Sequence, residues 1–548
     1  MTEPAATELP WWHGTTIYHV YPRSFADGNG DGIGDLRGLI DRLDHVTDLG
    51  FDTLWLSPFF TSPQHDFGYD VSDYRAVAPE YGTLDDADEL IAACHERGLR
   101  IVFDLVLNHT SEQHPWFRES RRSRTNDKAD WYVWRDGKGR YGRRPPNNWR
   151  SSLEVRSAWQ WSPERRQWYL ASFLPWQPDL NWRSPDVRRA MFDMARFWLD
   201  RGVDGFRLDL FGTVMKDAEF RNNPLHLVTG GGDIPHLWRR VHNENTDDNF
   251  ALARELRSVT DDVAPPDRVL LGEVFGSSAT VRRYLGDHDG LHLVFLFEFL
   301  AFRYDARFVR DRISAYESAF PAPTQPTYVV ENHDQTRSID RLGGDLRKAR
   351  VLAVLLLTLR GVACVYQGQE LGQPNTYIPL RDAQDPIVRE FFSWVPEVIA
   401  RRLRRRINRD EMRTPMPWDA SPGHGFCPPE TVPWLPISAV PGRDVASQRA
   451  VPGSLLNLYR RLLRLRGEVR ALRHGELRLV PDMPADVLAY ERSAPTERYA
   501  VYANFGDRVA RVQLTSAGDS VLGTDEAISL TGRDLRLPQH SATVVRLR

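Results

Sequence analysis

The sequence has 548 residues and a formal net charge of -3, with 41% hydrophobic and 26% charged residues. A chain of this length is too long for one ordinary hydrophobic core and predicts two or three domains. The composition lies near the globular average, so neither a basic patch for nucleic acid nor an acidic disordered tail is indicated. We therefore expect a multidomain globular protein without a nucleic-acid partner.

Compartment and membrane signals are weak throughout the chain. Residues 1–10 lack a basic segment followed by an apolar one, which argues against a secretory signal. The most apolar segment, Val351 to Val365, is interrupted by Arg360 and is short for a bilayer span, so no membrane partner is expected. The three cysteines are odd in number and far apart, which predicts no disulfide framework. A cytoplasmic location fits these observations.

The predicted elements alternate between strands and helices over most of the chain. In chain order they are the strand Ile17 to Phe25, the helix Leu36 to Leu49, the strand Thr53 to Leu56, the helix Leu84 to Arg97, the strand Leu99 to Leu107, the helix Pro185 to Arg201 with Ser184 as N-cap, the strands Arg268 to Gly272, Thr327 to Val330 and Val362 to Tyr366, and the helix Ser454 to Leu472. Short alternating runs follow, and they indicate an antiparallel β-domain.

Four apolar runs end in polar groups. They are Leu99 to Leu107 before Asn108-His109, Val203 to Leu210 with Arg207 and Asp209, Arg268 to Gly272 before Glu273, and Thr327 to Val330 before Glu331-Asn332-His333-Asp334. Polar groups at the carboxyl ends of successive strands are the layout of a (β/α)8 barrel active site.

The stretch Gly205-Phe206-Arg207-Leu208-Asp209 is the most informative of the four. In a strand, residues two apart face the same side, so Arg207 and Asp209 project together. A guanidinium beside a buried carboxyl favours the anion, which is what nucleophilic attack on an acetal carbon requires. Taken alone, the pair is also compatible with a structural ion pair at a strand end.

The four segments, in this order, resemble the signature regions of the α-amylase family, glycoside hydrolase family 13. The resemblance implies an α/β fold in which a (β/α)8 TIM barrel spans residues 1–107 and 182–473. Residues 108–181, rich in Trp, Arg, Pro and Asn, are then a subdomain inserted after the third strand, over the active-site mouth. Residues 474–548 are predicted to form a C-terminal β-sandwich domain.

The resemblance also assigns the catalytic roles. Asp209 matches the nucleophile, Glu273 the general acid/base and Asp334 the carboxylate that stabilises the transition state. Two carboxyl groups are needed to cleave a glycosidic bond. We expect Arg207 to keep Asp209 ionised, and burial to raise the pKa of Glu273 so that it holds a proton. Taken alone, Glu273 is also compatible with an exposed carboxylate at a strand end.

Further residues match family positions that hold the terminal glucose. Asp66 matches the residue that hydrogen-bonds its far hydroxyls, Tyr69 the ring stacked beneath it, and Arg413 the arginine that pairs with Asp66. A carboxylate held by an arginine suits vicinal hydroxyls and favours a dead-end pocket, hence exo-action on short substrates. The full predicted substrate set is Asp66, Tyr69, His109, Phe173, Arg207, His333 and Arg413.

The loop Asp27-Gly-Asn-Gly-Asp-Gly-Ile-Gly-Asp35 places oxygen donors at alternate positions. It resembles the first half of an EF-hand loop, although the terminal Glu and flanking helices are missing. A solvated Asp/Gly turn is the alternative. In the family this loop marks members with a structural calcium, sometimes magnesium, ion, and no organic cofactor is expected. The implied ligands are Asp27, Asn29, Asp31, the Ile33 carbonyl and Asp35.

Gln177-Pro178-Asp179-Leu180-Asn181 and the RTPMPW segment resemble the oligo-1,6-glucosidase and α-glucosidase branch. Two positions depart from that branch. Leu210 follows the nucleophile, where Val accompanies α-1,6 cleavage and Ala or Thr α-1,4 cleavage. Leu153 occupies a position where relatives often have an aromatic residue. The preferred linkage is therefore left open.

Three functions are compatible with the sequence. The first is an exo-acting, retaining α-glucosidase that hydrolyses short maltose-, isomaltose-, sucrose- or trehalose-like α-glucosides by double displacement. The second is a transglucosylase or disaccharide isomerase, like trehalose synthases or sucrose isomerases, that uses the same covalent intermediate. The third is a non-catalytic binding relative, which the three retained carboxylates disfavour. The sequence leaves monomer or homodimer open.

Overall fold

The computed structural model describes residues 9–152, 156–228, 236–263, 267–396, 398–399 and 408–548. Eight parallel strands form a closed barrel in which each strand pairs with the next in the chain and the eighth pairs with the first. The strands are β1 (Thr16–Val20), β2 (Thr53–Leu56), β3 (Arg100–Val106), β4 (Gly205–Asp209), β5 (Val269–Gly272), β6 (Leu293–Leu296), β7 (Thr327–Val329) and β8 (Val362–Tyr366).

A helix follows each barrel strand and covers the sheet. These helices are α1 (Leu36–Asp41, continued by Leu43–Leu49), α2 (Leu84–Glu96), α3 (Pro185–Asp200), α4 (Asp247–Asp261), α5 (Ser278–Leu285), α6 (Ala306–Ala319), α7 (Leu346–Thr358) and α8 (Leu455–Glu468). Shorter helices span Pro115–Arg122, Ser338–Arg341, Val445–Ala450 and Arg470–His474. The predicted alternation of strands and helices is confirmed.

Two predicted boundaries were wrong in detail. The first strand ends at Val20, because Pro22 lacks an N–H and begins a 3-10 helix over Pro22–Ser24. The first helix is interrupted at Arg42, whose ψ of 6° leaves the helical range. Ser184 is the N-cap residue of α3, as predicted, although its side chain makes no capping hydrogen bond.

The long connection between β3 and α3 forms a small antiparallel sheet. Its strands are Trp134–Arg135, Gln167–Leu170 and Trp159–Ser162, in that order across the sheet. Bridges from His109 to Asp179 and from Tyr132 to Leu180 bring the two ends of the connection together. This is the inserted subdomain that the sequence predicted, and its bounds of 108–181 stay a prediction. Two further strand pairs join Phe60–Thr61 to Asp73–Val77 and Leu225–Val228 to His236–Trp238.

The C-terminal region consists of antiparallel strands. They are β9 (Glu476–Leu479), β10 (Val487–Ala494), β11 (Glu497–Asn504), β12 (Ala510–Gln513), β13 (Gly518–Gly523), β14 (Ser529–Thr531), β15 (Asp534–Leu537) and β16 (Ser541–Leu547). One sheet has the order β9-β10-β11-β16-β13 and the other the order β12-β15-β14. Apolar side chains from both sheets, among them Val487, Tyr502, Leu514 and Leu537, share one core. The predicted fold class is therefore confirmed.

The C-terminal sheet is attached to the barrel through buried polar contacts. The Thr358 hydroxyl at the end of α7 lies 2.5 Å from the Tyr490 hydroxyl, and the buried Arg492 guanidinium donates to the Thr358 carbonyl at 2.5 Å. All three cysteines are buried and free. Across the described part of the chain, every helix is too short or too polar to cross a bilayer. The cytoplasmic location stays a prediction.

Candidate active site

Four barrel strands bring acidic side chains to one end of the barrel. Asp104 lies on β3, Asp209 ends β4, Glu273 follows β5 and Asp334 lies five residues beyond Val329, the last residue of β7. The carboxyl ends of parallel strands meet at the same rim, so residues far apart in the sequence become neighbours. The first three side chains are buried, and Asp334 keeps about a third of its side chain exposed.

Arg207 joins three of these carboxylates. Its Nη1 donates to Asp104 at 2.9 and 2.7 Å and to Asp209 Oδ1 at 3.0 Å. Its Nη2 donates to Glu273 Oε2, which also accepts the Leu210 N–H at 3.1 Å. The guanidinium is itself buried, so the charges are held in fixed positions with little solvent between them.

The expectation that Arg207 keeps the pKa of Asp209 low was wrong for the substrate-free site. Burial raises the pKa of Asp209 well above its usual range, and the neighbouring carboxylates add to this, while Arg207 opposes it. Burial likewise raises the pKa of Asp104 to about 7 despite its two bonds to Arg207. One guanidinium shared among several carboxyls cannot neutralise all of them, so the cluster retains protons.

Asp334 has the opposite electrostatic surroundings. Burial alone would raise its pKa, but the electrostatic interactions with His333, Arg413 and Arg409 hold that pKa far below its usual range. Arg413 Nη2 lies 2.5 Å from Asp334 Oδ1, and Arg409 Nη1 lies 3.3 Å from the same oxygen. Asp334 is therefore a fixed negative charge beside the carboxyl cluster.

The predicted pairing of Arg413 with Asp66 was wrong. Asp66 Oδ1 accepts instead from Arg409 Nη2 at 3.0 Å, and its Oδ2 accepts from Gln177 at 2.9 Å. Arg413 donates to Asp334 and, through Nε, to the His333 carbonyl at 3.0 Å. Both arginines belong to one short turn around the 3-10 helix Arg409–Met412, and Arg409 is the one that reaches Asp66.

Tyr69 and the two predicted histidines lie at the same rim. The Tyr69 ring stacks on His333, with 5.5 Å between ring centroids, and its hydroxyl lies 2.8 Å from His333 Nε2. His109 Nε2 lies 3.2 Å from the Tyr69 carbonyl. Burial lowers the pKa of His109 to about 4 and that of His333 to about 3, so both rings are neutral at pH 7.

Phe173 lies on the inserted subdomain and packs in a small apolar group with Leu174, Ile387 and Phe391. Its role beside the sugar stays a prediction. Leu210, directly after Asp209, has a φ of 42°, an uncommon conformation for a branched side chain. Leu153 lies outside the described residues.

The sequence did not predict four residues of the site, namely Asp104, Gln177, Arg409 and Asp385. Asp104 lies inside an apolar strand, and Gln177 begins the segment Gln177-Pro178-Asp179-Leu180-Asn181 (QPDLN), so both had a sequence signal. Arg409 and Asp385 had none: Asp385, fully buried, accepts from the Arg409 backbone N–H at 2.8 Å and from its guanidinium at 2.9 Å. Only the fold brings residue 385 against Asp66 and Arg409.

The predicted metal loop lies after β1, away from the carboxylate cluster. Asp27 accepts from the N–H groups of Gly30 and Gly32 at 2.6 and 2.8 Å, and Asp31 accepts from Ile33 N–H at 2.8 Å. Burial raises the pKa of Asp35, and the charge of Asp27 adds to that rise. Among the described residues, no three His, Cys, Asp or Glu side chains are grouped closely enough to hold a metal.

The geometry defines a class of protein: a barrel enzyme that uses a pair of buried carboxyl groups on neighbouring strands, the arrangement used to cleave glycosidic bonds. Residues 19–475 match the family model described as the α-amylase catalytic domain. The chain belongs to the α-amylase family, glycoside hydrolase family 13.

Curated relatives place it in the predicted branch. It is 40% identical to a protein of Rhizobium meliloti (strain 1021) named "probable alpha-glucosidase", over 98% of this chain and 97% of the relative. It is 35% identical to the oligo-1,6-glucosidase of Heyndrickxia coagulans, over 91% and 92% of the two chains.

Solved structures share the whole fold. The crystal structure of an α-glucosyl transfer enzyme, XgtA, aligns with a TM-score of 0.90 at 39% identity and covers 99% of this chain and 100% of its own. The trehalulose synthase MutB of Pseudomonas mesoacidophila MX-45 aligns with a TM-score of 0.88 at 33% identity, over 99% and 100% of the two chains.

Proposed function

We propose that the protein is an exo-acting, retaining α-glucosidase that releases glucose from the non-reducing end of short α-glucosides. The observation that carries this proposal is that Arg207 contacts both Asp209 and Glu273 while Arg409 holds Asp66 at the same rim. The first pair supplies two carboxyl groups for bond cleavage, and the second supplies a fixed anion for sugar hydroxyls.

In the proposed first step, an Asp209 oxygen attacks the anomeric carbon and Glu273 gives a proton to the departing glycosidic oxygen. The second step reverses the proton movement: Glu273 takes a proton from water, and that water displaces Asp209 from the sugar. Asp209 must be ionised for attack, and Arg207 opposes the rise in its pKa and so favours the ionised form. Arg207 assists because it contacts both carboxyls and stabilises the anion on either one.

Asp334 and Asp66 hold the sugar in this scheme. The transition state resembles an oxocarbenium ion, and the persistent negative charge on Asp334 stabilises it. Asp66 accepts hydrogen bonds from the terminal glucose while Arg409 and Gln177 keep its carboxylate in place. Because His109 and His333 are neutral, each offers one ring N–H donor or one acceptor nitrogen to the hydroxyls of the sugar. Neither ring takes up the proton that Glu273 transfers.

A second candidate is glucosyl transfer or disaccharide isomerisation through the same intermediate. It is supported by the likeness to an α-glucosyl transfer enzyme at a TM-score of 0.90 and to a trehalulose synthase. The two candidates differ in whether water or a sugar displaces Asp209. The catalytic carboxylates do not decide this competition; the acceptor side of the pocket does.

Product analysis separates these functions. Maltose, isomaltose, trehalose and sucrose are incubated with the protein, and early products are resolved by chromatography, with Asp209→Asn as the inactive control. Free glucose in proportion to bonds broken would support hydrolysis, and new di- or trisaccharides at early times would support transfer. We expect Asp209→Asn to form products about a thousandfold more slowly or worse. Product formation by this variant at the rate of the wild type would contradict both proposed functions, hydrolysis and transfer.

We also propose that the loop of residues 27–35 binds a calcium or magnesium ion that stabilises the fold. Its side-chain donors are all oxygen atoms, which hard divalent cations prefer. Asp27 also lies near enough to Asp35 for its charge to raise the pKa of the Asp35 carboxyl. Asp27, Asn29, Asp31, Asp35 and the Ile33 carbonyl would hold the ion, and binding would have to draw the three carboxylates closer together than they lie in the loop described above. The ion would have no part in the carboxylate chemistry.

Metal removal tests this second proposal. Chelation should lower the melting temperature, and calcium or magnesium should restore it, because an ion that binds only the folded state stabilises it. Asp31→Asn should remove the response to added metal. An unchanged melting temperature after chelation, with no metal in the protein by elemental analysis, would contradict the proposal.

A further inference from the structure

A cavity of about 1090 Å³, separate from the carboxylate site, lies within the inserted subdomain. Its walls include four arginines and three aromatic residues, and none of its lining residues belongs to the carboxylate site. The residues that matter for its chemistry are Arg124, Arg143, Arg165, Arg166, Trp161 and Tyr141. Nothing in the proposed hydrolytic mechanism uses this cavity.

The cavity carries an excess of positive charge. Its one acidic side chain, Asp136, is paired with Arg124 at 2.9 Å. Arg143 and Arg166 have no carboxylate within ion-pair distance among the residues the structure describes. Since the whole chain carries a net charge of -3, this concentration of cations is local. It provides free charged donors for an anionic group.

Arg165 adds a buried charge to this wall. Only 7% of it is exposed, and it donates to the Ser120 carbonyl at 2.6 Å and to Gln167 at 2.7 Å. Burial lowers its pKa to about 10, so it remains cationic at neutral pH. A charge held in a poorly solvated wall attracts an anion more strongly than one on a free surface side chain.

Aromatic rings supply the second kind of contact. Trp161 is 40% exposed and Tyr141 is 73% exposed, and both line the cavity. The neighbouring Trp168 packs edge-on against Trp161, with 5.5 Å between ring centroids, and donates from Nε1 to the Gly142 carbonyl at 2.9 Å. The hairpin that carries Tyr141 is therefore held in place before any ligand arrives. Exposed indole faces bind the apolar faces of ring compounds.

We propose that this cavity binds a small anionic saccharide, with its sugar ring against Trp161 and its phosphate, sulfate or carboxylate group on Arg143 and Arg166. Arginine donors without carboxylate partners select the anion, and the indole selects a ligand that also has a ring. A neutral sugar would leave the guanidiniums unused, and a bare anion would leave the indole unused.

Titration of the intact protein by tryptophan fluorescence tests the proposal. Glucose 6-phosphate, glucose and inorganic phosphate are the three probes. We expect saturable binding of glucose 6-phosphate, at least about tenfold tighter than either other probe, and weaker at high salt. Arg143→Gln combined with Arg166→Gln should weaken it at least about tenfold, since two charge-assisted hydrogen bonds are lost. Trp161→Ala should weaken it as well.

Arg381→Gln is the matched control, because Arg381 is 82% exposed and lies outside this cavity. It should leave binding unchanged, and all variants should retain glucosidase activity, which shows that they fold. Binding of glucose 6-phosphate that is unaffected by the paired arginine substitutions would place the ligand elsewhere and overturn the proposal. If inorganic phosphate bound as tightly as glucose 6-phosphate, the proposed contact between the sugar ring and Trp161 would be refuted.

Discussion

At the scale of single residues, the arginine that holds Asp66 shows how close positions in a sequence acquire different roles. Arg409 and Arg413 are four residues apart in one turn, and both guanidiniums reach the barrel rim. Arg409 contacts Asp66, Asp334 and Asp385, whereas Arg413 contacts Asp334 and the His333 carbonyl. We therefore expect a substitution of Arg409 to have a different effect from a substitution of Arg413.

We expect Arg409→Gln to lower kcat/KM for maltose by about a hundredfold to a thousandfold. Removing this guanidinium takes the charged partner away from the buried carboxylates of Asp66 and Asp385, so Asp66 is no longer held in place for the sugar hydroxyls. Truncating one partner of a buried charge pair in a binding site costs about 2–5 kcal/mol of binding free energy. Steady-state kinetics on maltose measure the loss. Asp385→Asn should give a smaller loss, and little further loss in the Arg409→Gln background. Additive losses in the double variant would contradict a role for Asp385 through Arg409.

At the scale of elements, a buried ion pair connects the inserted subdomain to the end of β4. Lys216 Nζ lies 2.6 Å from Asp179 Oδ2 and 2.7 Å from Asn108 Oδ1. Asp179 also accepts from the Ser172 N–H at 2.8 Å. The pair thus joins the segment after β3, the QPDLN segment and the segment after β4 beneath the rim.

Lys216→Met should destabilise the protein by about 3–5 kcal/mol, because Asp179 would keep a buried and unpaired charge. Adding Asp179→Asn should recover part of this loss by removing that charge. Chemical denaturation measures both variants. The control is Arg189→Ala, which removes an exposed pair with Asp186 and should cost about 0–1 kcal/mol. If Lys216→Met lowered the free energy of unfolding by as little as the control does, the buried Lys216–Asp179 pair would not stabilise the fold as predicted.

At the scale of the whole molecule, buried histidines link stability to pH. Burial lowers the pKa of His114 to about 3, whereas an unfolded chain has a value near 6.5. At a pH between these two pKa values, His114 binds a proton in the unfolded state but not in the folded state. The free energy of unfolding therefore falls as the pH is lowered from about 6.5 towards 3.

His114→Asn should flatten this dependence. The imidazole caps the helix Pro115–Arg122 by accepting from the Trp116 N–H at 3.1 Å, and asparagine caps a helix N-terminus without titrating. Denaturant unfolding at pH 7, 6 and 5 should show a slope smaller by up to about 1.4 kcal/mol per pH unit in the variant. Parallel curves for variant and wild type would mean that His114 is not the group responsible.

The sequence by itself determined the alternation of strands and helices and the positions of Asp209, Glu273 and Asp334 at strand ends. These follow from hydrophobic periodicity and from polar residues that end apolar runs, both of which are local properties of the chain. The strand β8 was predicted for the same reason, whereas the strand β6 and the helices α4, α5 and α6 were not predicted.

Only the tertiary structure decided which charges meet. Local pattern cannot tell which arginine of the turn around Arg409–Met412 reaches Asp66, or that Asp385 lies behind it. Nor can it show that Arg207 is shared among three carboxyls and so leaves the pKa of Asp209 raised. Electrostatic pairing depends on distances of a few ångströms between residues hundreds of positions apart, and closure of the barrel alone sets those distances.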